Sequence, residues 1–411
     1  MANPFSSDTF QKTWKKAFIP SKAIESFSFI EGVNFYKSNF NLFYFNIGKN
    51  LTKGNSYIIR DFKDYKNKTL IVYDVITGIN NTNTTNNKIG ILKSNQYPGF
   101  LINIDHFNSV EEYLLKTFSK NTRMKMRKYT NRLNTCFNIS SKMFFGAIDK
   151  QEYDALFKHF MRLLEKRYSE KQITYNNMQT SEWNFYTDVA YPLILEKKAS
   201  LFVIYDNNTP IAITYNYHTE DSLIDAITVF DIDYSKFNIG YVNNLKLINW
   251  CFENNIKILD FSKGYFDYKK RMCTSEYHFE YHIIYDKSSI FSKIKAHSYH
   301  TFLEFKTYLR NKGFNSKFHE FTYRLKNNTP SKLSFDAEIT ELSNLPSNLI
   351  LSKLDIKNDS EYEFLKRHIN DFLYLVTKTY KDIELYKVND MQHTYILESD
   401  TLILQLKVAK P

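Results

Sequence analysis

The stretch from Phe230 to Lys270 constrains the chain most: a strand, a glycine, a helix, a second strand and a second glycine follow one another. It runs from Phe230 through Asn238-Ile239-Gly240, along a helical pattern to Asn255, into Ile256-Lys257-Ile258-Leu259-Asp260-Phe261, then Ser262-Lys263-Gly264 and Tyr268-Lys269-Lys270. Gly240 and Gly264 are the only glycines between Gly146 and Gly313. Glycine placed after each strand implies a positive φ or a close backbone approach at both points. Gly240 also opens a helix, whose unbonded N–H groups suit a phosphate. The segment therefore reads as a place for a nucleotide-like cofactor.

The chain has 411 residues, 43% of them hydrophobic and 17% aromatic, enough for two or three cores. No apolar run approaches the roughly 20 residues of a membrane helix, and the N-terminus has no signal-peptide core. The expectation is a cytoplasmic chain without a membrane span. Three scattered cysteines, Cys136, Cys251 and Cys273, fit buried thiols better than disulfides or a zinc site. After residue 330, ten Lys/Arg face thirteen Asp/Glu, so the +11 excess sits in the first 330 residues, at +14. Such an excess fits phosphorylated cofactors and anionic acceptors, and equally nucleic acid or a membrane surface.

Short aromatic strands, including Phe40–Phe45 and Leu70–Tyr73, fill the first hundred residues, with a polar loop at Asn80–Lys88 and another strand at Leu101–Ile104. One helix is expected from a Ser109 cap through Leu115, Phe118, Met126, Tyr129 and Leu133. Its basic row holds Lys116, Lys120, Arg123 and Arg127, and no acid occurs between Tyr113 and Ile148. Two amphipathic helices follow, one on Tyr153, Leu156, Phe157, Phe160 and Leu164, the other on Trp183, Tyr186, Ala190 and Leu193. Strands Leu201–Tyr205, Ile211–Tyr217 and Leu223–Phe230 form a meander. The helix Gly240–Asn255, strands Ile256–Phe261 and Tyr277–Tyr285, and lysine-rich helices over 289–325 complete the layer. The expected domains are an N-terminal lobe over 1–107, a central domain over 108–330 and a small α+β unit over 331–411.

On these pieces the sequence resembles GNAT-fold acyltransferases, more narrowly the CelD-like bacterial acetyltransferases related to FemABX aminoacyltransferases. The matching residues, between about Asn108 and Lys287, are Ser119-Lys120-Asn121-Thr122-Arg123, Met126-Arg127-Lys128, Pro210-Ile211-Ala212, Asn238-Ile239-Gly240, Leu259-Asp260-Phe261, Gly264 and Tyr268-Lys269. The resemblance implies an α/β (α+β) architecture: a mixed, mostly antiparallel sheet flanked by helices, in two lobes plus the C-terminal unit. It implies acetyl-CoA or another acyl-CoA as donor and an amino-sugar, polysaccharide precursor or other small anionic acceptor. The strand Leu223–Phe230 would splay from its neighbour, and the segment Asn238, Ile239, Gly240, Tyr241, Val242 and Asn243 would hold the pyrophosphate.

Each candidate residue has two readings. Gly240 is a phosphate site or a plain turn before a helix. Asp260, at a strand end, is a general base or the cap of an Asx turn. Tyr268 and Lys269 correspond to the family's tyrosine–lysine pair, for protonating the leaving thiolate and steadying an oxyanion; alternatively Lys269-Lys270-Arg271 is an exposed basic turn. Arg123 and Arg127, one helical turn apart, clamp an anionic acceptor or form a solvated helix face. His278 and His282 lie on a strand about 13 Å apart, so no metal is expected. Two other functions stay open: a FemABX-like transferase using aminoacyl-tRNA, and a non-catalytic basic binding module. DNA is not an expected partner.

Overall fold

In a computed structural model of the chain, the described residues are 3–60, 63–77, 87–171, 180–312, 337–346, 349–355 and 360–408. The N-terminal part holds helix α1 (Asp8–Phe18) and strands β1 (Glu25–Phe27), β2 (Ile30–Lys37), β3 (Tyr44–Asn46), β4 (Ile58–Ile59), β5 (Thr69–Ile76) and β6 (Ile89–Asn103). Then come α2 (Val110–Thr117), α3 (Lys120–Cys136), β7 (Ile139–Phe144), α4 (Lys150–Lys171), α5 (Thr180–Leu195), β8 (Ala199–Asp206), β9 (Thr209–His218) and β10 (Ser222–Phe230). They are followed by α6 (Ile239–Glu253), β11 (Ile258–Lys263), α7 (Asp267–Met272), β12 (Ser275–Asp286) and α8 (Ile290–Asn311). The C-terminal part contains β13 (Ala337–Leu342), β14 (Leu351–Lys353), α9 (Lys366–Val376), β15 (Glu384–Val388), β16 (Thr394–Glu398) and β17 (Ile403–Val408).

One large sheet runs in the order β1-β2-β3-β5-β12-β6-β11-β10-β9-β8-β7, with β4 beside β2. Only β3–β5 and β10–β11 are parallel, so the sheet is mixed and mostly antiparallel, as expected. The meander β8-β9-β10 follows from local chemistry: Asn207, at φ 52°, makes the two-residue turn that joins β8 to β9. Side chains alternate along β9. Ile213, Tyr215 and Tyr217 enter the core that holds Phe10 of α1, Phe157 and Phe160 of α4 and Phe185 of α5. On the other face, Thr214 meets α6. Fully burying one such aromatic is worth about 1.5–3 kcal/mol.

The sheet continues across the boundary expected at 107/108, because β12, from the second half of the chain, lies between β5 and β6. The C-terminal strands form a separate five-stranded sheet, order β13-β17-β16-β15-β14. Its helix α9 packs on α3 and on the 3-10 turn Ile232–Phe237, and Ile369, Phe372 and Leu373 join the core of Leu133, Phe237 and Val242. Arg132 of α3 stacks on Tyr374, 4.4 Å from the ring centre.

Two local expectations are corrected. The single helix from Ser109 to Leu133 is two helices: Ser119 caps α3 by accepting from Thr122 N–H, and Phe118 before it is extended and buried. The break turns Leu115 outward, 62% exposed. The strand expected from Phe40 starts only at Tyr44, because Asn41 takes a left-handed turn conformation at φ 56°. Most of the polar loop at 80–88, and the end of the helices expected over 289–325, lie outside the described residues.

Candidate active site

Strands β10 and β11 pair for only three residues, Ser222↔Ile258, Leu223↔Leu259 and Ile224↔Asp260, and then separate. Irregularities in both strands drive the divergence. The ladder of β10 with β9 shifts between Asp225 and Ile227, and that of β11 with β6 shifts between Asp260 and Lys263. Within the second shift, Ser262 sits at φ 60°, and Gly264 follows at φ 118°. A serine in the left-handed region is uncommon and marks a position fixed by its surroundings. The result is a V whose apex carries Asp225 and Asp260.

Asp260 is buried. Its Oδ1 accepts from the Ser262 N–H at 2.6 Å and its Oδ2 from the Tyr277 hydroxyl at 2.6 Å. Burial pushes its carboxyl up to about 6, opposed by those two hydrogen bonds and by the charge of Lys269, and assisted by Asp225. Lys269 is buried too, while Lys270 and Arg271 are exposed, so the basic triplet divides. Its Nζ donates to the Lys263 carbonyl at 3.0 Å and the Ser262 carbonyl at 3.5 Å. Burial lowers Lys269 to about 8, against the pull of Asp225 and Asp260. Asp225 is raised by burial.

A line of polar groups joins the start of α6 to this cluster. Asn243 Nδ2 donates to Thr214 Oγ1 at 3.0 Å, the Thr214 and Thr228 hydroxyls lie 3.1 Å apart, and Thr228 Oγ1 donates to Asp225 Oδ1 at 2.8 Å. Asn243 Oδ1 and Ser262 Oγ are buried without a partner among the described residues. Such groups are costly to leave unmet and are free to serve a ligand. The N-terminal part of the chain contributes further charge. Asp74, at φ 60° on β5, accepts from Lys263 Nζ at 2.5 Å, and Lys53 is lowered to about 8 by burial and then by Lys263 and Lys269.

The start of α6 differs from expectation in detail. Gly240 is not at positive φ; the left-handed residue is its neighbour but one, Asn238, at φ 53°. What Gly240 supplies is close approach, since a Cβ there would come within 2.9 Å of the Phe230 ring. Asn238, Gly240 and Tyr241 are half-buried, whereas Ile239 and Val242 point into the core and Asn243 into the polar line just described. The Gly240 N–H has no acceptor among the described residues. Arg167 of α4 stacks on Phe230, 4.2 Å from the ring centre, and donates to the Thr228 carbonyl at 3.4 Å. The acids in the preceding turn do not oppose an anion there, because Lys166 pairs with Asp231 at 2.6 Å and Asp233 at 2.5 Å.

Other expected residues lie elsewhere. Tyr268 is half-buried against Phe261, ring centres 5.9 Å apart, and the tyrosine on Asp260 is Tyr277 instead. Arg123 is tied to the end of α2, donating to the Leu115 and Phe118 carbonyls. Arg127 is exposed on α3 with Lys120, Lys125 and Lys128, and none of the four forms an ion pair among the described residues. No hydrogen bond or ion pair there joins Arg123 or Arg127 to Asp260 or Lys269. Tyr277, Arg167, Lys53 and Asp74 were missed by sequence reasoning. Only Arg167 carried a local signal, as part of the basic end of an amphipathic helix. Among the described residues no group of three or more His, Cys, Asp or Glu could hold a metal, and no helix is long and apolar enough to cross a membrane.

Residues 119–270 match the family model of the acetyltransferase (GNAT) domain, which spans the elements from α3 to α7 and so contains the V, the α6 start and Lys269. The fold is GNAT-like, and this segment is similar to GNAT acetyltransferase domains. No curated protein matches the chain. Solved structures that resemble it include FemX, 11% identical with a TM-score of 0.45, covering 71% of this chain and 94% of that one. Another is L-PGS from Bacillus licheniformis, 12% identical, TM-score 0.39, covering 70% and 96%. A third is a conserved protein from Bacteroides thetaiotaomicron, 9% identical, TM-score 0.43, covering 69% and 92%. Likeness at this level carries no argument about substrate.

Proposed function

We propose that the chain transfers an acyl group from an acyl-CoA thioester, acetyl-CoA in the simplest case, to the nitrogen or oxygen of a small anionic acceptor such as an amino-sugar or polysaccharide precursor. The observation that carries this reading is the buried Asp260 at the apex of the β10–β11 V together with the buried Lys269 of α7, inside the segment that matches the GNAT family. Beyond Ile224 the edge of β10 no longer pairs with β11, so its backbone groups are available to an extended donor arm. The Gly240 amide and the Arg167 guanidinium are the groups proposed for its phosphates.

Asp260, held near 6, is charged at neutral pH yet basic enough to take the acceptor's proton as nitrogen or oxygen attacks the thioester carbonyl. Lys269 supplies positive charge for the oxygen that becomes negative in that step. Tyr268 keeps the proposed role of proton donor to the departing thiolate, and Arg123 and Arg127 that of acceptor contacts. Titration calorimetry of the full chain with CoA and acetyl-CoA tests the donor. Binding is expected, and folded protein that binds neither would remove the reading.

A second reading, aminoacyl-tRNA as donor, is favoured by one observation: Lys120, Lys125, Arg127 and Lys128 stand exposed on α3 without ion pairs among the described residues. RNA that copurifies and dissociates steeply with salt would support it over acyl-CoA. Acyl transfer to any of a panel of amines would exclude a non-catalytic binding module.

A further inference from the structure

Helix α8 is built with its larger apolar side chains pointing the wrong way for a soluble surface helix. Its inner face is narrow: Ser292, Ala296 and Leu303 are buried, with Tyr299 half-buried against Phe43 and Phe45. Its outer face carries Ile290, Phe291, Ile294, Phe302, Phe305 and Tyr308, each between 54% and 80% exposed. At helical spacing these six fall on one side, along a stripe about 27 Å long. Single exposed apolar residues are ordinary, but a continuous stripe marks an interaction surface.

The flanking charge selects the partner. From Lys287 to Lys312 there are six basic residues and a single acid, Glu304, and Lys293, Lys306 and Lys312 are exposed beside the stripe. A second copy docked through a two-fold contact would set these lysine rows against themselves, with one glutamate per copy to offset them. Nucleic acid would use aromatic faces for stacking but has no use for the exposed aliphatic Ile290 and Ile294. A surface offering both negative headgroups and a hydrocarbon interior uses all of them. On the inner face of α8, away from the stripe, Arg310 stacks on Tyr97 at 4.1 Å, which fixes the helix against the sheet.

We infer that α8 is an interfacial helix that docks the protein, lying flat, on an anionic lipid surface. Flotation of the full chain with vesicles of phosphatidylcholine, with and without phosphatidylglycerol, tests it. Binding is expected to require phosphatidylglycerol and to weaken with salt. The triple variant Phe291→Ser/Phe302→Ser/Phe305→Ser, and separately Lys293→Glu/Lys306→Glu/Lys312→Glu, should each lower vesicle affinity by about tenfold or more while circular dichroism stays native. Phe291→Ser alone, at the most exposed position, replaces the triple variant if that one fails to fold. Wild-type protein that ignores phosphatidylglycerol vesicles, variants that bind as wild type, a dimer split by the phenylalanine changes, or RNA that binds through the stripe and displaces vesicles would each overturn the inference.

Discussion

Tyr277 reaches Asp260 across an intervening strand. Tyr277 belongs to β12, Asp260 to β11, and β6 lies between them, yet hydroxyl and carboxylate are 2.6 Å apart. Strands two apart in a sheet are separated by about 9–10 Å, so the phenol must lie flat over the middle strand. It does so at its register partner, Gly99, where a Cβ would stand 2.2 Å from the ring Cζ. The same arrangement recurs further along β12, where Tyr285 covers Gly90. Glycine on β6 thus creates the path, and through it the Tyr277 hydroxyl opposes the rise that burial imposes on the proposed base.

Tyr277→Phe removes a donor to the charged carboxylate. Because that bond favours ionised Asp260, its loss should move the carboxyl further up from about 6. A hydrogen bond to a charged group is worth about 1.5–3 kcal/mol, which corresponds to roughly one to two pH units. The expected result is an upward shift of the acidic limb of the pH–rate profile with little change in donor affinity. An unmoved limb would detach Tyr277 from catalysis.

Gly99→Ala should produce the same shift by a different route, because its methyl group displaces the Tyr277 ring. Overpacking of this kind costs about 1–3 kcal/mol, so thermal stability should fall as well. Combining Gly99→Ala with Tyr277→Phe should shift the profile no further than either alone, which kinetics on the double variant would check.

The pH profile of the wild type should be a bell with limbs near 6 and 8, from Asp260 and Lys269. Stability should run against activity. The folded Asp260 pKa is raised from 3.8, so its contribution is fully present below about 3.8 and is lost as pH rises through about 6. A shift of about two units is on the order of 3 kcal/mol. Asp260→Asn keeps an acceptor for the Ser262 N–H, can donate from Nδ2 to the Tyr277 hydroxyl oxygen, and carries no charge to desolvate. It should therefore be inactive, melt higher than wild type at pH 7, and lose that advantage near pH 4. Lys269→Met should likewise gain stability at pH 7, since the folded Lys269 pKa is depressed and its contribution is lost as pH falls through about 8. Melting curves at pH 7 and pH 4 decide both.

What the sequence disclosed follows the range of the interactions involved. The strand–glycine–helix–strand series and the meander were legible because period and turn chemistry are local, as Asn207 and α6 show. Lys269 could not be told from Lys270 and Arg271 by composition; a single helical turn, α7, buries one and exposes the others. Tyr277, Lys53 and Asp74 were invisible because sheet order brings them to the site, and no spacing along the chain encodes that β12 inserts between β5 and β6. The break at Ser119 was missed because the apolar spacing stays in phase across it, while the serine cap that ends the pattern was read as one polar residue among many.

The last prediction concerns Gly240. Its Cα faces the Phe230 ring, on which Arg167 is stacked, so a side chain at 240 would push both away from the start of α6. Gly240→Ala meets the edge of a side chain that can yield by a few tenths of an ångström. Gly240→Val cannot be accommodated so cheaply, and should move Phe230 and unseat Arg167. If the Gly240 amide and Arg167 hold the donor's phosphates, CoA affinity should fall by about tenfold or more in the valine variant and less in the alanine variant, with thermal stability falling less than affinity. Asn249→Ala, exposed further along α6, should leave affinity unchanged. Arg167→Met should match the valine variant if the guanidinium is the displaced element. Calorimetry on the four proteins separates these cases: full CoA affinity in both Gly240→Val and Arg167→Met would reduce the α6 start to a connection between two strands.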